Sequence, residues 1–100
     1  MKLKPITLEE YGIISNNGIQ LDCIDYNGWN AYIHQENLYF CYERWGYVEV
    51  YTIHVFEFLH KKNSEKIELA KMIIESYLLQ PDKYTVTYLI DAINHASTFM

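Results

Sequence analysis

The stretch LYFCYERWGYVEVYTIHVFEF, residues 38–58, decides the fold. Its Val, Ile, Thr, Tyr and Phe side chains suit a pleated, half-buried surface. Arg44-Trp45-Gly46 predicts a three-residue turn, with Gly46 taking the left-handed position that only glycine adopts without steric cost. That turn sets Tyr42 opposite Val48 and Phe40 opposite Val50. One face then carries Leu38, Phe40, Tyr42, Val48, Val50 and Thr52, and reads as core. The other carries Tyr39, Cys41, Glu43, Tyr47, Glu49 and Tyr51, a mixture of phenols and carboxylates. A two-residue turn would pair Tyr42 with Glu49 and Glu43 with Val48 and mix the two faces. Burial of a single face therefore favours the three-residue register.

Outward from the hairpin, Gln35-Glu36-Asn37 is a polar break preceded by a strand over Trp29–His34. Asn27-Gly28 is the strongest short hairpin signal and sets Tyr26 opposite Trp29, closing a strand over Ile19–Tyr26. Within that strand the apolar parity switches between Cys23 and Ile24, which suggests a bulge or a strand buried on both faces. Further back, Thr7-Leu8-Glu9-Glu10 fits a capping box, with Gly12 as a stop after about one helical turn. Ile13-Ile14-Ser15 reads as a brief strand, and Asn16-Asn17-Gly18 as a turn, since asparagine and glycine tolerate left-handed geometry.

On the other side of the hairpin, a strand ends near Val55 and a short helical turn follows. Asn63-Ser64 opens a helix with Ile67, Ala70, Ile74, Tyr77 and Leu78 along one stripe, and Pro81 stops it. A last helix begins at Asp82 or Thr85, with Val86, Leu89, Ile90, Ile93 and Ala96 on one side. Residues 1–100 thus predict a single α+β domain. It is an antiparallel β-meander of four to five strands followed by two C-terminal helices packed on one sheet face, the other face being wet.

Half of the residues are hydrophobic and 21% are charged, enough for a core without metal or disulfide staples. No apolar run approaches the roughly 20 residues of a membrane helix, and the N-terminus has no secretory pattern. Cys23 and Cys41 read as reduced, strand-borne thiols, and the expected compartment is the cytoplasm. The net charge is −5, unevenly divided. Residues 5–60 hold one base, Arg44, against eight carboxylates, whereas residues 61–100 are neutral. Such a field repels nucleic acid and attracts basic partners.

The chemistry-bearing residues do not gather into a motif. Cys23, His34, Cys41 and His54 lie too far apart for a close-paired zinc site. A Cys41–His54 nucleophile pair is conceivable on adjoining strands, but Cys41 lacks basic surroundings. Glu43 and Glu49 would be solvated carboxylates rather than an acid–base pair. The four glycines are all separate, so no phosphate-cradling loop is present. No catalytic, cofactor or metal residue is assigned. Glu36-Asn37-Leu38-Tyr39-Phe40 resembles the recognition site of tobacco etch virus protease, but Cys41 stands where that pattern has Gln. In size, acidity and tyrosine content the chain resembles accessory proteins of bacterial phages and mobile elements, a likeness that no motif carries.

The expected function is that of a non-catalytic intracellular protein-binding module, accessory or inhibitor-like. Its contact residues would be Tyr39, Glu43, Arg44, Trp45, Tyr47, Glu49 and Tyr51, since Trp, Tyr and Arg are the usual interface anchors. Its partner would be a protein with a basic surface, such as a nucleic-acid-handling enzyme. The alternatives are a nucleic-acid-binding accessory protein and a small enzyme of unknown class. Direct contact with nucleic acid is disfavoured, because the sheet offers only Arg44 to phosphates. An uncovered strand could also pair with a second copy into a homodimer.

Overall fold

The computed structural model describes the backbone of residues 2–26, 29–76 and 80–100, and the side chains of 2–21, 30–76 and 80–100. It is an α+β fold built on a five-stranded antiparallel sheet. Strand β1 (Lys4–Ile6) leads into helix α1 (Leu8–Asn17). Strands β2 (Ile19–Tyr26), β3 (Trp29–His34), β4 (Asn37–Glu43) and β5 (Val48–His54) follow. Helices α2 (Val55–Leu59), α3 (Asn63–Ser76) and α4 (Lys83–Ser97) complete the chain. The strand order is β1-β5-β4-β3-β2, so the first two strands lie at opposite edges and α1 spans the sheet between them.

The β4–β5 register is the one that mixes the faces. Tyr42 lies opposite Glu49 and Glu43 opposite Val48, and the Arg44 N–H donates to the Tyr47 carbonyl at 2.8 Å. Trp45-Gly46 makes the turn, with Gly46 at φ 79°. The expectation of Tyr42 opposite Val48 is corrected, and the physical reason is burial on both sides. Leu38, Phe40 and Ile53 join a core with Ala31 and Ile33 beneath α2, α3 and α4. Cys41, Val48 and Val50 join a second cluster with Tyr32 and with Ile14 of α1. A strand covered on both faces has no need of one clean apolar side. The face expected to be wet is therefore roofed by α1.

The capping box of α1 forms as the sequence indicates. Thr7 Oγ1 accepts from the Glu10 N–H at 3.1 Å, and Glu10 Oε1 accepts from the Thr7 N–H at 3.4 Å. The helix does not stop at Gly12, however, and Ile13-Ile14-Ser15 is helical rather than a strand. Tyr11 and Ile14, three residues apart, are the side chains that dock on the sheet, and this contact extends a short helix that would be marginal alone. The fifth strand is Lys4–Ile6 instead.

Gly12 therefore sits in a helix interior, and a Cβ placed there meets nothing within 4 Å. Gly12→Ala should stabilise the protein by about 0.5–1 kcal/mol, through helix propensity and a less flexible unfolded chain. Chemical denaturation would show it as a raised midpoint at unchanged slope; a lowered midpoint would count against the helix.

The Ile19–Tyr26 strand forms, and its pairing with β3 shifts between Gln20 and Asp25, in line with the expected bulge. Tyr26 faces Trp29 as expected, while the Asn27-Gly28 turn itself lies outside the described residues. The polar break after β3 is a tight two-residue turn, with Gln35 at φ 50° and Glu36 at φ 67°. Both are non-glycine residues in left-handed geometry. Three contacts hold the turn: the Glu36 carbonyl accepts the Val55 N–H at 2.8 Å, Asn37 Nδ2 donates to the Gln35 carbonyl at 3.3 Å, and Glu36 Oε2 lies 3.4 Å from His54 Nε2.

Beyond β5 the chain turns helical at Val55, where His54 Nδ1 accepts the Phe56 N–H at 3.2 Å. Phe40 and Phe58 are fully buried, each contributing roughly 1.5–3 kcal/mol of hydrophobic stabilisation. In α3, Ala70, Ile73 and Ile74 are buried, whereas Ile67 is exposed; the expected Tyr77 and Leu78 lie outside the described residues. Helix α4 starts at Asp82, whose Oδ1 accepts the Thr85 N–H at 2.8 Å and holds that carboxyl below its ordinary pKa. Val86, Leu89, Ile93 and Ala96 bury its inner side.

Candidate functional site

The seven residues singled out from sequence do not share one face. Tyr39 and Glu43 lie on the α1 side of β4, while Glu49 and Tyr51 lie on the opposite side of β5. The reason is the one-residue difference in register, which exchanges the faces of one strand against the other. Tyr51 packs half-buried against the main core, 6.3 Å from the Phe40 ring. Burial first, and then the Glu57 carboxylate, push its hydroxyl pKa up. Tyr39 is half-buried against the second cluster. Both rings are thus half-buried, each against a different core cluster.

What the hairpin does bring together is its tip. Arg44, Tyr42 and Glu49 fall on one side. Arg44 Nε lies 3.1 Å from Glu49 Oε1, and its guanidinium carbon sits 3.9 Å from the centre of the Tyr42 ring. The arginine is thus held by an ion pair and a cation–π contact at once. Trp45 is 99% exposed at the turn, and Tyr47 beside it is 40% exposed. Sequence reasoning placed Tyr42 in the core and so missed its part here. The signal available was its position two residues before Arg44, which lies just past the end of β4, so that extended backbone points both side chains to one side.

The other side of the hairpin is tied down by α1. Tyr11 Oη donates to Glu43 Oε1 at 3.2 Å and accepts from Asn30 Nδ2 at 3.3 Å. Its ring meets Tyr32 edge-on at 6.1 Å. Burial, then Tyr32, then the Glu43 charge raise the Tyr11 pKa above the ordinary phenol range. Glu43 is therefore a partner of α1. It and Glu49 occupy opposite faces, so the two carboxylates cannot act together on one substrate.

Cys41 is fully buried, and burial followed by the Glu43 charge push its thiol up to about 12. It pairs with Val50 while His54 pairs with Asn37, which separates the conceivable nucleophile pair along the strands. Among the described residues, no three His, Cys, Asp or Glu side chains are placed to hold a metal ion. No helix among them is long and apolar enough to cross a membrane.

Comparison with known protein families, curated proteins and solved structures finds no match. The candidate site therefore rests on its own geometry: a two-residue turn presenting an indole to solvent, with an arginine fixed behind it.

Proposed function

We propose that this chain is a non-catalytic intracellular protein-binding module, accessory or inhibitor-like, that docks through the tip of the β4–β5 hairpin. The observation that carries this reading is Trp45, a large aromatic residue left 99% exposed at the β4–β5 turn. An indole in water gains by entering a partner's pocket, and tryptophan and arginine are enriched among the side chains that dominate binding energy. Arg44 is already immobilised by Tyr42 and Glu49, so less side-chain entropy is lost on docking. Excess carboxylates over residues 5–60 favour a partner with a basic surface. The tip, rather than the broad Tyr/Glu face, is the contact surface.

Affinity capture from lysate of the source organism, with wild type and Trp45→Ala compared side by side, tests this. A partner retained by the wild type should bind Trp45→Ala at least ~30-fold more weakly, the loss of about 2 kcal/mol expected of an interface anchor. Because Trp45 touches little, the variant should unfold at the wild-type denaturant concentration. Equal capture by both would remove the tip from the interface.

A further inference from the structure

His54 sits where the sheet gives way to the helices. It pairs with Asn37 at the end of β5 remote from the hairpin tip, and it is the N-cap of α2. Its two ring nitrogens have different partners. Nδ1 accepts the Phe56 N–H at 3.2 Å, and Nε2 lies 3.4 Å from Glu36 Oε2. An imidazole nitrogen accepts a hydrogen bond only while it carries no proton. The Phe56 bond therefore requires the neutral ring with its hydrogen on Nε2. That tautomer turns an N–H toward Glu36 and serves both partners at once.

Helices α1 and α4 are capped differently. Their acceptors are the Thr7 hydroxyl and the Asp82 carboxylate. Neither gains a proton between pH 8 and pH 5, since a hydroxyl does not titrate there and hydrogen bonds from Thr85 hold the Asp82 carboxyl below its ordinary range. Histidine is the side chain that ordinarily changes charge in that interval.

We propose that protonation of His54 exchanges its partners, releasing the first turn of α2 while tightening the β3–β4 turn. A second proton on Nδ1 sets a donor against the Phe56 N–H, and that bond is lost. The same proton turns the Nε2 contact with Glu36 into a charge-assisted pair. Glu36 is one of the two left-handed residues of its turn, so the pair braces a conformation that is costly for a side chain. Val55 stays anchored, fully buried and bonded through its N–H to the Glu36 carbonyl. Phe56 is what gains freedom. It is 44% exposed, and its ring lies 5.6 Å from the His54 ring and 6.4 Å from that of His60. The titratable groups around His54 are Glu36 on the turn, Glu57 in the first turn of α2, His60 beyond the Phe56 ring, and His34, which lies across Asn37 on β3. This device sits at the opposite end of β4 and β5 from Trp45 and does not rest on docking there.

Amide exchange followed by NMR on the full chain tests this, at about pH 8 and about pH 5, where ring-proton shifts show His54 neutral and charged. Protection of the Phe56 amide, referred to the intrinsic exchange rate at each pH, should fall about fivefold on protonation, as loss of one capping bond implies. The Thr85 amide, held by Asp82, should keep its protection. His54→Asn supplies an acceptor that does not titrate, so its Phe56 amide should be equally protected at both pH values. His60→Gln should show the wild-type fall, which separates His54 from the ring on the far side of Phe56. Circular dichroism at both pH values establishes that each variant is folded. An unchanged Phe56 amide in the wild type, the same fall in His54→Asn, or no fall in His60→Gln would each overturn the proposal. So would an equal fall at Thr85, since the loosening would then be general rather than local to α2.

Discussion

Gly18→Ala should cost the fold about 3 kcal/mol, the upper end of what overpacking a filled site costs. A Cβ at Gly18 would meet the Ile14 carbonyl oxygen at 2.6 Å and the Ile33 carbonyl oxygen at 2.9 Å. Both are backbone atoms and cannot swing aside. The Gly18 N–H also donates to that Ile14 carbonyl at 2.8 Å, closing α1 just where β2 begins. The glycine is needed for close approach and not for left-handed backbone, since its φ is −84°. The sequence expectation of a turn over Asn16-Asn17-Gly18 is corrected, since α1 runs through Asn17 and Gly18 is extended. A loss of this size lowers the melting temperature of a domain this small by roughly 10–20 °C. Differential scanning calorimetry of Gly18→Ala beside Gly12→Ala gives the sharpest reading, because the same substitution should act in opposite directions six positions apart. A neutral Gly18→Ala would mean that α1 does not lie against β3 as described.

The second large effect is alkaline. Cys41 is buried, and its pKa rises from 9.0 to about 12. A thiol whose folded pKa lies above its unfolded one favours the fold fully below the unfolded value. That advantage is lost as pH rises through the folded value. Between about pH 9 and 12 the unfolded chain sheds this proton and the native chain keeps it, so stability falls by about 1.4 kcal/mol per pH unit. The total approaches ~4 kcal/mol, a large share of the 5–15 kcal/mol that holds a typical domain. Tyr11, raised in the same direction, adds to the loss at the upper end. Urea titrations at pH 8 and pH 11 would measure the drop. Cys41→Ala should lose less stability over the same interval, and a thiol reagent should label Cys41 only after unfolding. Equal pH slopes in wild type and Cys41→Ala would sink the argument.

Much of the fold was legible because local chemistry and tertiary structure agree. The capping box at Thr7, the strand over Trp29–His34, the change from strand to helix at Val55 and the start of α4 at Asp82 each follow from a few adjacent residues. The register of β4 against β5 was not legible in the same way. It depends on whether one or both sheet faces are covered, and that depends on α1. Gly12 hid α1, because a glycine four residues into a helix reads as a stop when no packing partner is known. Once Tyr11 and Ile14 dock on Tyr32 and Cys41, Val48 and Val50 belong inward on that side, and Glu49 and Tyr51 must face the other way. The candidate site was legible only at its apex. Arg44, Trp45 and Tyr47 follow from the turn itself, whereas Tyr39, Glu43, Glu49 and Tyr51 were grouped by a pairing the chain does not adopt.

The placement of β1 has a kinetic consequence. Strands β2 to β5 each pair with a chain neighbour, so they can zip together through short hairpins. Lys4 must find Val50 across 46 positions, after α1 has swung over the whole sheet. Loop closure of that length is entropically slow, and β1 offers only three residues of strand pairing in return. The N-terminal segment is therefore expected to fasten last in folding and to loosen first. Unfastened, it would leave Cys41, Val48 and Val50 bare on an otherwise intact sheet.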